Sequence, residues 1–195
     1  MGESQFNQDI DKLKQSLELL PEQVVNPAFV IVSGLPGTGK SFFCRTLAEK
    51  THFCVIESDA MRKVIFPSPD YSAIESARLF TACHGLIEEL LGKGTPLIFD
   101  ATNLSEYHRE KLYRIGDRMK AKLILVRVEA PDSIAYQRLQ ARNNKVDTED
   151  KSDAGWDVYK QMKPTVDKIR RNHFVADTSR DIEPVIDKII RMLNR

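Results

Sequence analysis

Apolar residues recur along this chain in two rhythms: short β-branched runs alternate with longer stretches of helical spacing. Ile10, Leu13, Leu17 and Leu20 share one face of a helix predicted over Phe6–Leu20. Pro21 and Pro27 punctuate the path that follows. Ala28–Val32 is a continuous apolar run and reads as a buried strand, and Ser41–Lys50 returns to helical spacing. Phe53–Ile56 reads as a second strand and Ala60–Ile65 as a short helix, broken off by Pro67 and Pro69. A long helical pattern runs from Tyr71 to Leu91 and stops at Gly92 and Gly94. Pro96–Asp100 is the third strand, after which Asn103 or Ser105 can cap a helix reaching Lys120. Leu123–Val128 is the fourth strand, and Asp132 caps a helix through Arg142. The polar stretch Asn143–Asp153 reads as a loop, and Ser152 or Asp153 caps a helix to Met162. Phe174–Ala176 is a weak fifth strand, and Ile182–Leu193 is a closing amphipathic helix.

Strands alternating with helices predict a parallel sheet covered on both faces, with any ligand at the carboxyl ends of the strands. The first helix precedes this alternation. It reads as an N-terminal extension, 1–27, packed on a domain of 28–195, with a partner-binding helix as the alternative.

The link between the first strand and its helix changes the picture most. Gly34-Leu35-Pro36-Gly37-Thr38-Gly39-Lys40-Ser41 spells G-x-x-x-x-G-K-S, the phosphate-binding loop of nucleoside triphosphate enzymes. A triphosphate needs inward-facing donors with no side chains in the way. Gly34, Gly37 and Gly39 allow successive N–H groups to curl into a nest, and the N-terminus of the next helix, with Phe42 in its first turn, adds its dipole. Lys40 is expected on the β- and γ-phosphates of ATP, and the Ser41 hydroxyl on Mg²⁺. The expected fold is therefore α/β: a three-layer αβα P-loop NTPase fold with a five-stranded parallel sheet in the order 2-3-1-4-5 and an extra N-terminal helix.

Composition narrows the setting. A length of 195 residues suits one domain with a real core. Lys plus Arg is 29 against 28 for Asp plus Glu, so no global charge drives the chain toward nucleic acid or membrane. Cys44, Cys54 and Cys83 are odd in number and sit in apolar segments, which predicts reduced thiols in a cytoplasmic protein. His52, His84, His108 and His173 lack metal-ligand spacing. No stretch is long enough to span a bilayer, and Met1–Phe6 lacks a signal-peptide core.

A phosphate loop specifies a nucleotide and leaves the reaction open. Asp59 follows the second strand, and Arg62 lies one helical turn on, so both project from one side. A carboxylate beside a guanidinium suits a phosphoryl acceptor; the structural alternative is an N-cap with an arginine on a solvated face. Asp100 ends the third strand, where it can face Mg²⁺ through water, hold Arg62, or close an Asx turn. Arg138 and Arg142 are four apart on one helix face, beside the polar loop, and suit a lid over about 138–155 that stabilises the moving phosphoryl group. The alternative is a solvated helix face, which is also the reading of the basic stretch Arg109, Lys111, Arg114, Arg118, Lys120 and Lys122. Asn144-Lys145-Val146-Asp147 spells the N-K-x-D of guanine selectors, yet it falls in the supposed lid rather than after a late strand. Phe66, Tyr71 and Phe80, near the acceptor side, either stack a base or line an apolar pocket, or belong to the core.

Taken together these motifs resemble the P-loop kinase group that includes the 5′-kinase domain of phage-type polynucleotide kinase and the small zeta-toxin-like and gluconate-kinase-like enzymes, chains also described as AAA-like ATP-binding proteins. The likeness spans Phe29 to Met162. The family's Asp-x-x-Arg after the second strand falls on Asp59 and Arg62. Its D-T-N turn is matched, with one inserted residue, by Asp100-Ala101-Thr102-Asn103, and its paired lid arginines by Arg138 and Arg142. The resemblance implies Asp59 as general base, Arg62 on the acceptor phosphate, Asp100 orienting Arg62, and the lid arginines on ATP. The strand end Glu57-Ser58-Asp59 departs from the family's usual two acids, or an arginine before the base. The pair thus supports a kinase more strongly than it supports a polynucleotide acceptor. The expected activity is ATP- and Mg²⁺-dependent phosphoryl transfer to a hydroxyl, on a small molecule or a nucleic-acid 5′ end. The rival is an AAA-like switch or assembly module without an acceptor, which expects ring oligomers and a C-terminal helical domain that 195 residues leave little room for.

Overall fold

A computed structural model of the chain describes residues 2–17, 20–144 and 154–194. Five strands, β1 (Ala28–Ser33), β2 (Cys54–Glu57), β3 (Leu97–Asp100), β4 (Lys122–Glu129) and β5 (Phe174–Asp177), form one sheet in the order β2-β3-β1-β4-β5. Every pairing is parallel, and the order is the expected one. The helices are α1 (Glu3–Gln15), α2 (Lys40–Thr51), α3 (Ser58–Ile65), α4 (Ala73–Gly92), α5 (Glu106–Arg118), α6 (Asp132–Asn144), α7 (Trp156–Met162) and α8 (Glu183–Leu193).

Strand alternation sorts the apolar side chains into two layers. Phe29, Ile31, Leu97, Phe99, Cys54, Ile56 and Leu125 point to one face, where α1, α3, α4 and α5 supply Leu13, Met61, Leu86 and Leu112. Val30, Val32, Ile98, Val126 and Val128 point to the other, against Phe43 and Leu47 of α2 and Ile186 and Ile189 of α8. Central strands buried on both sides explain why their sequences read as unbroken apolar runs. Truncating one of these side chains, Phe99 for example, removes about 3–5 kcal/mol through lost transfer energy and a residual cavity. All three cysteines are free and buried.

The N-terminal helix packs on the domain through Ile10 and Leu13, and Asp9 accepts two bonds from Arg78 of α4, at 2.7 and 2.8 Å. It ends at Gln15, short of the Leu20 predicted. The Ser16 hydroxyl turns back onto the Leu13 carbonyl at 2.7 Å, and Pro21 disfavours helical geometry at Leu20, which is left exposed. Two expected caps act differently. Asn103 takes φ +45° and donates to the Val32 carbonyl at 2.7 Å, binding the β3 exit to β1. The first N–H of α5, on Glu106, is met by the Asp167 carboxylate at 2.9 Å rather than by Ser105. Asp132 opens α6, but its carboxylate ties α7 down, accepting from Tyr159 at 2.8 Å and from Lys163. Residues 145–153, including the polar loop, most of the N-K-x-D stretch and the Ser152 or Asp153 cap, lie outside the described residues.

Arg109 is the clearest departure from the expected solvated face: it is only 1 % exposed. Its fork donates to Glu106 at 2.8 Å, to the Asn103 and Leu104 carbonyls at 2.5 and 2.7 Å, and to the Asp167 carbonyl at 2.8 Å. A guanidinium carries five donors; carbonyls of two separate segments take three of these bonds and the Glu106 carboxylate a fourth, which fastens the chain after α7 beneath the β3 exit.

Candidate active site

The phosphate loop folds as its glycines require. Gly37 and Gly39 take φ of +74° and +85°, and Gly39 is the N-cap of α2. Those angles are costly for any other residue, and space is closed too. A Cβ on Gly39 would sit 2.9 Å from Thr178 Oγ1, and one on Gly34 2.4 Å from the Val128 carbonyl. Inside the loop the Leu35 carbonyl accepts three bonds: Thr38 N–H at 3.3 Å, Thr38 Oγ1 at 2.7 Å and Lys40 Nζ at 3.0 Å. The lysine ammonium therefore rests on its own loop.

Two strand exits brace the loop. From β3, the Thr102 carbonyl accepts Gly34 N–H at 3.0 Å, and Ser33 Oγ donates to the Asn103 carbonyl at 3.0 Å. From β5, Thr178 Oγ1 donates to the Thr38 carbonyl at 2.7 Å. Thr178 is itself the acceptor of Arg138, which reaches Thr178 Oγ1 at 2.7 Å and its carbonyl at 2.9 Å. Arg138 also lies 3.4 Å from the Gly37 carbonyl. The first expected lid arginine is thus part of the loop's scaffold, through a threonine that sequence reasoning missed. The only signal for Thr178 was its position directly after the last strand.

The loop opens into a cleft of about 1120 Å³. Of the expected site residues, Pro36, Gly37, Gly39, Lys40, Ser41, Phe42, Asp59, Arg62, Asp100, Arg138 and Arg142 line it, while Gly34, Leu35 and Thr38 do not. Asp100 is 3 % exposed at the tip of β3, in register with Val32 on one side and Glu57 on the other. Burial, with the Asp100 charge added to it, pushes the neighbouring Cys44 thiol well up and keeps it protonated. Asp59 stands half-buried in the first turn of α3, where a carboxylate complements the helix dipole, and Glu57 is the N-cap.

Arg62, one turn on, is 6 % exposed and engaged with α4. Its Nη1 donates to the Glu75 carboxylate and its Nη2 to Ser76 Oγ at 3.3 Å. The Tyr71 ring covers it, with the guanidinium carbon 4.8 Å from the ring centre. Tyr71 holds φ +57°, a strained value for a bulky residue. Glu75 and Ser76 were not foreseen, although Ser72-x-x-Glu75 at a helix start was a usable signal. Ser72 Oγ does accept the Glu75 N–H at 3.2 Å; the glutamate side chain, however, goes to Arg62 and to the Asp70 N–H at 2.8 Å. Tyr71 and Phe80 line the cleft, whereas Phe66 packs on the core beneath Arg78. The far wall comes from α7, through Val158, Gln161 and Met162.

Five parallel strands in this order around this loop define a P-loop kinase-like fold. The family model for the AAA domain matches residues 29–169, and the chain belongs to that family. No curated protein matches it. Among solved structures, Kti12 of Chaetomium thermophilum in complex with ADP-AlF3 superposes with a TM-score of 0.66 at 18 % identity, covering 84 % of this chain and 97 % of that one. A gluconokinase from Sinorhizobium meliloti 1021 gives 0.59 at 19 % identity, covering 83 % and 89 %. The Mycobacterium tuberculosis APS kinase CysC, bound to AMPPNP and APS, gives 0.60 at 14 % identity, covering 87 % and 99 %. At these identities the likeness is one of fold. Among the described residues no helix is long and apolar enough to cross a membrane.

Proposed function

We propose that the protein is an ATP-dependent kinase that transfers the γ-phosphoryl group to an alcohol. The observation that carries this reading is that one cleft is lined both by the phosphate loop and by Asp59. A switch needs only the first; a carboxylate lining the same open cavity suits an acceptor.

In this reading Lys40 leaves the Leu35 carbonyl for the β- and γ-phosphate oxygens. Asp59 accepts the hydroxyl proton as the acceptor oxygen bonds to the γ-phosphorus, and the bond from that phosphorus to the bridging oxygen breaks, releasing ADP. Arg142 faces the same cleft and is suited to the equatorial oxygens, while Arg138 keeps the loop in shape. The donors at the loop fit Mg²⁺. Ser41 would offer a hydroxyl and Asp100 a carboxylate, the hard oxygen donors that Mg²⁺ takes beside phosphates and water. When bound, Mg²⁺ supplies charge neutralisation across the phosphates.

The test is transfer of labelled γ-phosphate to 5′-hydroxyl oligonucleotides and to a panel of small alcohols. Labelled product with any acceptor supports the reading; ATP binding without transfer to any of them would favour the switch.

A further inference from the structure

We infer that the acceptor carries no phosphate or other anionic group where it meets Arg62: it is a neutral or amine-bearing alcohol, and Glu75 sets that preference by neutralising Arg62. The inference rests on the kinase reading of the cleft.

An arginine on an acceptor wall ordinarily marks an anion site, because its fork matches phosphate and carboxylate oxygens. Here both Nη atoms are already engaged. Nη1 is bound to Glu75 and Nη2 to Ser76, the Tyr71 ring covers the face, and Nε has no hydrogen-bond partner and is sealed from solvent. Glu75 cannot turn aside freely. It is 7 % exposed, and its second oxygen holds the Asp70 N–H at 2.8 Å. A buried charge so compensated attracts a ligand anion only weakly.

Lys40 and Arg45 of α2, Arg138 and Arg142 of α6, and Arg180 after β5 also line the cleft. At the β2 edge stand Glu57 and Asp59, with Asp100 on the adjoining strand. These carboxylates oppose an anion placed beside Asp59. Tyr71 and Phe80 give that end an apolar side, and Ser76 and Gln161 give it uncharged hydrogen-bonding groups. Such a lining suits an alcohol with a ring or alkyl face.

Anion binding to protein already loaded with Mg–AMPPNP decides the matter without requiring turnover. The probes are inorganic phosphate and two matched pairs: thymidine with thymidine 3′-monophosphate, and methyl glucoside with glucose 1-phosphate. Calorimetric titration of the wild type is expected to show no second site for inorganic phosphate, and no phosphorylated member binding more tightly than its neutral partner. Glu75→Gln is expected to create a phosphate site, shifting the anion-to-neutral affinity ratio at least about tenfold. Tyr71→Ala, which uncovers the guanidinium face, should shift it in the same direction and serves if Glu75→Gln does not fold. Phosphate binding to loaded wild type, or an unchanged ratio in the folded variants, overturns the inference. Failure of the kinase reading looks different: no transfer to any alcohol, whatever the anion titrations give.

Discussion

The Thr178 hydroxyl donates to the carbonyl of Thr38 at 2.7 Å, joining the exit of the last strand to the middle of the phosphate loop. The same oxygen receives Arg138, so one threonine relays a helix arginine to the loop backbone. Thr178→Val keeps the shape and removes the hydroxyl. It is expected to cost about 1–3 kcal/mol of folding stability, because the Thr38 carbonyl and an arginine N–H lose a buried partner. ATP affinity should fall with it. Urea denaturation and nucleotide titration read the two effects, and wild-type values in both would show that the bond does not brace the loop.

Asp59 and Lys40 are expected to separate chemistry from binding. Asp59→Asn should lower phosphoryl transfer about 10²–10⁴-fold while ATP affinity stays within a few-fold, since a general base acts on the acceptor. Lys40→Ala should weaken ATP binding itself by about 1.5–3 kcal/mol, the range for a hydrogen bond to a charged group. Parallel losses of transfer and affinity in Asp59→Asn would remove the general-base assignment.

Arg109 should prove a stability residue. Arg109→Leu removes a charged donor from the Asn103, Leu104 and Asp167 carbonyls and leaves the buried Glu106 carboxylate without its guanidinium, at an expected cost of about 3–5 kcal/mol. Arg109→Lys should recover only part of this, because an ammonium lacks the planar fork. A midpoint of denaturation close to wild type for Arg109→Lys would contradict that account.

Hydrogen bonding from Arg78 lowers the Asp9 carboxyl below its ordinary value, against the opposing effect of burial. A depressed folded value means stability that is fully present above the unfolded pKa of about 3.9 and is lost as pH falls through the folded one. Asp9→Asn should therefore cost on the order of 2 kcal/mol at neutral pH and flatten the acid limb of the stability curve. Denaturation midpoints measured between neutral pH and pH 2 test this; parallel curves for variant and wild type would exclude the pair as the cause.

Much of the fold was legible because buried parallel strands are short, apolar and bounded by turn residues, and because G-x-x-x-x-G-K-S permits few backbone paths. The strand order followed from that motif. Side-chain partnerships were not legible in the same way. Arg109 and Lys111 look alike in a basic run, yet one lies beneath the β3 exit and the other on the surface. Only the return of residues 166–170 to that place distinguishes them, and that return is a long-range event. Thr178 and Glu75 escaped for the same reason: their partners, Thr38 and Arg62, lie 140 and 13 residues away. The end of α1 lies earlier than expected because Leu17 and Leu20 keep helical spacing although the helix has already ended before Ser16, and Pro21 disfavours helical geometry at Leu20.

Lys40 resting on the Leu35 carbonyl has a consequence for selectivity. Capture of a ligand is an exchange, one oxygen given up for others, so the ammonium contributes only the difference between the two states. A stray monophosphate offers little beyond what the backbone already provides. On the proposed function, a polyphosphate with two oxygens in reach offers much more, so the loop is expected to discriminate by tail length before any base or metal is recognised.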